Sequence, residues 1–250
     1  VVDKKTADDL VVRIGAAAPL TGNQAHIGKD NESGTRMAID DANAKGIVIG
    51  GRKVHFELIS EDDQADPKNA TIVAQKLVDD KVSGVIGHLN SGTTIPASKI
   101  YNDNGIPQIS PSATAVNYTA QGFNTAFRVM ANDAQQGRVL GEYATKNLAA
   151  KKIAVIDDRT AYGQGLADEF IKAAQVNGAQ IVAHEYTTDK AVDFTSVLTV
   201  VKGKQPDLLF YGGMDPQAGP MAKQIKGLAM KVKFMMGDGG YTPEFIKLSG

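Results

Sequence analysis

The chain has 250 residues, 42% hydrophobic and 22% charged, with 27 Lys and Arg against 28 Asp and Glu for a formal net charge of −1. That balance, without any Lys/Arg-rich run, argues against nucleic acid or an anionic membrane surface as partner. No apolar run reaches the ~18 residues that a membrane-spanning helix needs. With no Cys in the sequence, disulfides, thiolate metal sites and Cys nucleophiles are excluded, while the redox compartment stays open.

The length predicts one large or two medium α/β domains. The polar start, Val1-Val2-Asp3-Lys4-Lys5-Thr6-Ala7-Asp8-Asp9, carries no signal peptide, so the expectation is a chain never exported or a mature, trimmed one. Strands are predicted near Val11–Ala18, Val54–Ser60, Val82–Leu89, Ile106–Ser110 and Phe127–Met130. A second series is predicted near Lys152–Asp157, Gln180–Tyr186, Asp207–Tyr211 and Val232–Met236. Runs such as Ile153-Ala154-Val155-Ile156 are apolar throughout, as parallel strands covered on both faces are. Between them lie helical patterns. In Pro67–Lys81 the residues Ala70, Val73, Ala74, Leu77 and Val78 fall on one stripe. Asp66-Pro67 and Asp215-Pro216 each read as an N-cap followed by Pro at the first helical position. The βα alternation restarts after Met130 with a helix over Asp133–Leu148. The fold class expected is therefore α/β, two doubly wound parallel-sheet lobes, residues 1–129 and 130–250.

One loop stands out. Gly87-His88-Leu89-Asn90-Ser91-Gly92-Thr93-Thr94 follows the strand Val82–Ile86 and opens a helical pattern through Ile95, Ala97, Ser98 and Tyr101. Small hydroxyl residues at a strand end that leads into a helix gather N–H groups, hydroxyls and the positive end of the helix dipole. Such a place suits a carboxylate or phosphate, and in an open α/β sheet it is where ligands bind.

Several segments together resemble one family. They are Val12-Arg13-Ile14-Gly15, Pro19-Leu20-Thr21-Gly22, the turn Asp62-Asp63-Gln64-Ala65-Asp66-Pro67, and the Gly87–Gly92 loop. Ile109-Ser110-Pro111-Ser112-Ala113-Thr114, Asp157–Gly165 and Tyr211-Gly212-Gly213-Met214 complete the set, in collinear order over essentially the whole chain. The chain is similar to the periplasmic leucine/isoleucine/valine-type solute-binding proteins of bacterial ABC transporters. The resemblance implies a type I periplasmic binding protein fold whose two lobes close on an amino acid in the cleft between them by a hinge motion. It also implies a monomeric, exported, non-enzymatic protein without cofactor or metal. Its partners would be a small amino acid and an ABC permease in the inner membrane.

Carried over by position, the resemblance assigns the ligand carboxylate to the hydroxyls of Ser91 and Thr114, with the backbone around Leu89 and Ser112 assisting. It assigns the α-ammonium to Asp238, where many relatives have Glu, and the closing aromatic of the second lobe to Tyr162. Ile27 and Met214 stand where some relatives have pocket aromatics, and Ala65 and Asn90 where some have a disulfide. The chain ends at Leu248-Ser249-Gly250, before the family's usual end, so the expectation is a sequence lacking the return crossing and the terminal helices. The chemistry agrees independently. A zwitterion in a dry cleft needs donors at one end and a carboxylate at the other. Leu89, Ile27 and Met214 suggest an apolar side-chain pocket and hence an aliphatic or aromatic amino acid.

Plainer readings exist for each residue. Ser91 and Thr93 read equally as helix caps, Asp238 in Gly237-Asp238-Gly239-Gly240 as a turn residue, and Tyr162 as a loop aromatic packing on its own lobe. Met214 and Ile27 read as core filler. The cluster Glu61-Asp62-Asp63-Asp66 lacks the spacing of a calcium loop and reads as solvated turn and cap residues. His26, His55, His88 and His184 have no metal-binding spacing. A short-chain dehydrogenase is the enzyme alternative, through Thr21-Gly22-Asn23-Gln24-Ala25-His26-Ile27-Gly28. There, however, His26 would collide with a pyrophosphate. Its proton-transfer set is not assembled either: Tyr186 and Lys190 straddle a strand end, Ala173 stands where Ser is needed, and Tyr143 and Lys146 are too close. No GxSxG elbow is present. A sensory ligand-binding domain of the same fold is the third alternative.

Overall fold

Short apolar strands that alternate with amphipathic helices have one stable solution, a parallel sheet with helices on its faces. The structure, a computed structural model, describes residues 9–250. Its contacts divide into two units, one ending at Met130 and one beginning at Ala131.

The first unit runs β1 (Leu10–Ala18), α1 (Ala25–Lys45), β2 (Val48–Ile49), β3 (Arg52–Asp62), α2 (Pro67–Asp79), β4 (Gly84–Gly87), α3 (Ser91–Asp103), β5 (Gln108–Ser110), α4 (Val116–Ala120) and β6 (Ala126–Arg128). Among the described residues these make a six-stranded sheet in the order β2-β3-β1-β4-β5-β6. Every pairing is parallel except β2 with β3. From β1, inside the sheet, the described chain winds outward to β3, then reverses through β4, β5 and β6. The topological switch point therefore lies between β1 and β4. On one face α2 and α3 bury Val73, Leu77 and Tyr101 against Ala17 and Val85. On the other, α1 covers β1 and β3, while Ile109 (36% exposed) and its ladder neighbour Phe127 (48% exposed) stay partly open. A groove of about 610 Å³ runs along α1 there, lined by Ile14, Thr35, Ala38, Phe56, Ile86 and Pro111.

The second unit runs α5 (Asp133–Lys146), β7 (Lys152–Asp157), α6 (Ala161–Val176), β8 (Gln180–Tyr186), α7 (Thr195–Gly203), β9 (Leu208–Gly212), α8 (Asp215–Gly227), β10 (Lys233–Met236), a 3-10 turn (Asp238–Gly240) and α9 (Pro243–Ser249). Its strands pair in the order β10-β9-β7-β8, all parallel. The winding repeats that of the first unit, with the switch point between β7 and β9. Ile153, Ala154, Val155 and Ile156 are fully buried, as a strand covered on both faces requires. Phe170 of α6 stacks on Phe210 of β9 at 3.8 Å between ring centroids. Ala154, Ile156 and Leu209 pack on the opposite side with Leu198, Ala218 and Met221.

Several element ends differ from the sequence expectation. The helix expected over Pro67–Lys81 stops at Asp79, because Lys81 adopts a left-handed φ of 57°. Helix α5 stops at Lys146 rather than Leu148, with Ala149 left-handed at φ 54°. Strand β4 ends at Gly87. Its φ of +133° suits Gly alone, and a Cβ there would lie 2.3 Å from the carbonyl oxygen of Ala17. Asp66 caps α2 as expected, accepting the Asn69 N–H at 2.9 Å. Asp215 does not cap α8. The cap position is Met214, while Asp215 is fully buried in the first turn and accepts the Thr242 hydroxyl. Among the described residues, no helix is long and apolar enough to cross a membrane.

Candidate ligand-binding site

Each unit gathers its expected site residues around the carboxyl ends of its strands: Ile27 follows β1, Leu89 and Ser91 follow β4, Ser112 and Thr114 follow β5, Tyr162 follows β7, Met214 follows β9 and Asp238 follows β10. In the first unit the loops after β4 and β5 are laced together by small hydroxyls. Ser91, 1% exposed, accepts the N–H of Ala115 at 3.1 Å. The Ser112 hydroxyl donates to the Leu89 carbonyl at 3.0 Å. Thr114 is 1% exposed, and its hydroxyl is buried without a hydrogen-bond partner. A buried hydroxyl of that kind is costly unless something else satisfies it. Arg128, at the end of β6, donates to the carbonyls on both sides of Thr114, those of Ala113 at 2.9 Å and Ala115 at 2.7 Å. It therefore fixes the peptide planes around Thr114 and brings positive charge behind that loop.

The capping reading of Ser91 and Thr93 is not what the structure has. The N-cap of α3 is Asn90, whose side chain makes no cap bond and instead donates to Gln24 Oε1 at 2.7 Å. Thr93 donates its hydroxyl to the Asn90 carbonyl at 2.9 Å. Gln24 precedes α1, so its bond to Asn90 draws the first turn of α1, with half-buried Ile27, toward the β4–α3 loop. Leu89 is 3% exposed.

The acidic turn after β3 is not simply solvated. Asp63 is fully buried against His88 at 2.7 Å. Asp62 accepts the Leu20 N–H at 2.8 Å and the Thr21 hydroxyl. Burial would push the Asp62 carboxyl up, but these bonds outweigh it and hold the group below its ordinary value. With a carboxylate already seated on the Leu20–Thr21 backbone, this loop is a poor cradle for a pyrophosphate. Glu61 pairs with Lys76 at 2.6 Å.

In the second unit Tyr162 lies in the first turn of α6. Thr160 caps that helix, accepting the Gly163 N–H at 2.9 Å, and Asp158 in turn accepts the Thr160 N–H at 2.9 Å and its hydroxyl at 2.6 Å. The Tyr162 hydroxyl donates to Asp238 Oδ1 at 2.7 Å and accepts the Gly239 N–H at 3.0 Å. Burial first, then the Asp238 carboxylate, raises the Tyr162 phenol well above its ordinary pKa, so it stays a donor. The Asp238 N–H donates to Gln136 Oε1 at 2.9 Å. Asp238 itself is exposed, a carboxylate held in place but open to solvent. Met214, 9% exposed, lies against Gly239 of the same turn. A Cβ at Gly239 would lie 2.8 Å from the Gly213 carbonyl and from Met214 Sδ, and 3.0 Å from Tyr162 Cε1. The turn can close on Tyr162 only with Gly there.

Sequence reasoning missed Gln24, Arg128 and Gln136, each of which acts on a residue distant in the chain, and Asp158, which holds the Thr160 cap two residues on. Asp133 was noted only as a helix start. It is 1% exposed, and its charge adds to that of Asp238 in raising Tyr162. Among the described residues, no group of three or more His, Asp or Glu side chains is placed to hold a metal ion.

Comparison with known proteins agrees with this architecture. The family model described as periplasmic binding protein matches residues 11–250. An amino acid binding protein of Pseudomonas aeruginosa is 40% identical over 242 residues, covering 96% of this chain and 63% of that protein. The leucine binding protein LivK of Thermotoga maritima matches with a TM-score of 0.88 at 28% identity, covering 96% of this chain and 67% of that one. LivJ of Streptococcus pneumoniae, a branched-chain amino acid transporter substrate binding protein solved in complex with isoleucine, matches with a TM-score of 0.84 at 29% identity over 96% of this chain and 68% of that one. The chain thus spans less than two thirds of the length of the Pseudomonas relative. Two doubly wound parallel sheets, strand-end loops of hydroxyls and glycines, and a family match over nearly the whole sequence lead to one conclusion: the chain belongs to the periplasmic binding protein family.

Proposed function

We propose that this chain captures an apolar L-amino acid, of the branched-chain class, as its zwitterion. The ligand carboxylate docks on Ser91, Thr114 and the neighbouring backbone N–H groups of the first unit. The ammonium is taken by Asp238 of the second, with Tyr162 holding that carboxylate in place. Leu89, Ile27, Ser112 and Met214 complete the surroundings of the ligand. Residues 1–129 and 130–250 act as two lobes that close on the ligand. Closure removes water, and both charge contacts strengthen as the local dielectric falls. The protein works in the periplasm and hands the ligand to an ABC permease.

The observation that carries this reading is the division of polarity. Hydroxyls and N–H groups, backed by Arg128, line the strand ends of the first unit. A positioned, solvent-facing carboxylate stands at those of the second. The names of the relatives, an amino acid binding protein and proteins of leucine and isoleucine, support the ligand class. The test is a thermal-unfolding scan against a panel of amino acids. Ligand at ~100 times its dissociation constant stabilises by ~2.7 kcal/mol, a shift of roughly 5–11 °C for a chain of this size. Leucine, isoleucine or valine should produce it. A cooperative transition that no amino acid moves contradicts the reading.

A further inference from the structure

Behind the first half-site lies a chain of three side chains that ligand capture does not use directly. Asp63, His88 and Tyr101 are each fully buried. His88 Nδ1 is 2.7 Å from Asp63 Oδ2, and its Nε2 is 3.1 Å from the Tyr101 hydroxyl. We propose that His88, held as the neutral Nδ1–H tautomer between Asp63 and Tyr101, is a positioning residue that sets the carboxylate-facing loops of the first unit. This rests on the role assigned to Ser91 and Thr114 above.

The tautomer follows from accounting for every proton. Burial raises the Tyr101 phenol far above its ordinary range, so the hydroxyl keeps its proton and must donate it. Among the described residues its acceptor is Nε2, which is therefore bare. Nδ1 then carries the ring proton and gives it to Asp63 Oδ2, while Asp63 Oδ1 accepts the Ala65 N–H at 2.9 Å. An imidazolium would leave the Tyr101 proton buried without an acceptor, which native interiors avoid.

A ring pinned at both nitrogens fixes the backbone that carries it. The His88 carbonyl accepts the Ser110 hydroxyl at 2.8 Å and the Thr94 hydroxyl at 3.0 Å. Ser110 Oγ in turn accepts the Ala113 N–H at 2.8 Å and the Ser112 N–H at 3.3 Å. His88 thus joins the turn after β3 to the loops after β4 and β5, the two loops that present Ser91 and Thr114. A Phe at this position would fill the space but could not set the angle of the ring.

The test uses the 250-residue chain labelled with ¹⁵N. A long-range ¹H–¹⁵N spectrum at neutral pH should show His88 with Nδ1 protonated and Nε2 bare. The reverse tautomer, or two protonated nitrogens, overturns the proposal. In Tyr101→Phe, amide exchange at Ala113 and Ala115 should speed up at least tenfold, while the β1–β3 ladder stays protected. No change, or uniform acceleration across the unit, rejects a positioning role.

Binding supplies the third readout. Tyr101→Phe should weaken L-leucine about tenfold and leave 3-methylbutylamine, which lacks the carboxylate, unaltered. Equal loss for both probes contradicts the proposal. If Ser91→Ala leaves leucine affinity intact, the half-site reading has failed, and the spectrum and exchange data still decide the role of His88.

Discussion

The Tyr162 hydroxyl stands between Asp238 Oδ1, to which it donates at 2.7 Å, and the Gly239 N–H, which it accepts at 3.0 Å. One phenol oxygen thus holds both the carboxylate and the turn that carries it, and burial keeps its proton in place. Tyr162→Phe removes both bonds and leaves a buried N–H without its acceptor. A hydrogen bond to a charged group contributes about 1.5–3 kcal/mol, so the variant should bind L-leucine roughly ten- to a hundredfold more weakly by calorimetric titration. Unchanged affinity would place the ammonium elsewhere.

Asp158 gives the second unit a pH-dependent stability. Burial is the largest cause lifting its carboxyl to about 6, the bonds from Thr160 pull it down, and the charges of Asp189 and Asp157 add to the rise. The unfolded value is near 3.8, so between pH 4 and 6 the native state keeps a proton that the unfolded state has lost. Stability from this group is fully present below pH 4 and is lost as pH rises through 6, a change of about 3 kcal/mol at most. Asp158→Asn should flatten that part of the profile and stabilise the unit at pH 7, while its amide oxygen still accepts from Thr160. Urea unfolding from pH 4 to 7.5 checks this, and a slope that survives the substitution assigns it to another group.

Asp66 caps α2 on the face of the sheet away from α1, through its bond to Asn69. Asp66→Ala should lower the stability of the first unit by about 1 kcal/mol and leave ligand affinity unaltered. A combined loss of stability and affinity would mean that α2 reaches the site.

Gly87 is constrained twice, by a φ of +133° and by the Ala17 carbonyl 2.3 Å from where a Cβ would stand. Gly87→Ala should therefore destabilise by about 3 kcal/mol or more, since both strain and backbone displacement are required. A soluble variant with the wild-type melting temperature would show that the β4–α3 loop can yield.

Elements whose signal is local were legible in the sequence. Strand β7 coincides with its apolar run because both of its faces are covered. The Asp-Pro signature located the start of α2 because cap and helix are neighbours in the chain. The same signature misled at Asp215-Pro216. There Thr242, 27 residues on, recruits the carboxylate, so the helix starts one residue earlier. Strand β2, two exposed residues paired antiparallel with β3, is too short to show any period. Asp63 could not be told from its solvated neighbours, because what buries it is His88, 25 residues away. Of the site, the resemblance supplied the residues expected to touch ligand. Of the groups that hold them in place, Arg128 and Gln136 became visible only through contacts distant in the chain, while Asp158 bonds locally to Thr160 and only its burial needed the fold.

In the proposed binding mode the first unit takes the carboxylate and the second the ammonium. Calorimetric titration of wild type, Ser91→Ala and Asp238→Asn with L-leucine, 4-methylpentanoate and 3-methylbutylamine tests it most directly. Removing one partner of a buried charge contact costs ~2–5 kcal/mol. Asp238→Asn should therefore weaken leucine by about thirtyfold or more and leave 4-methylpentanoate, which lacks the ammonium, unaltered. Ser91→Ala should weaken leucine and leave 3-methylbutylamine unaltered. If Asp238→Asn weakens the acid as much as the amino acid, or leaves leucine untouched, the assignment of the two ends is wrong.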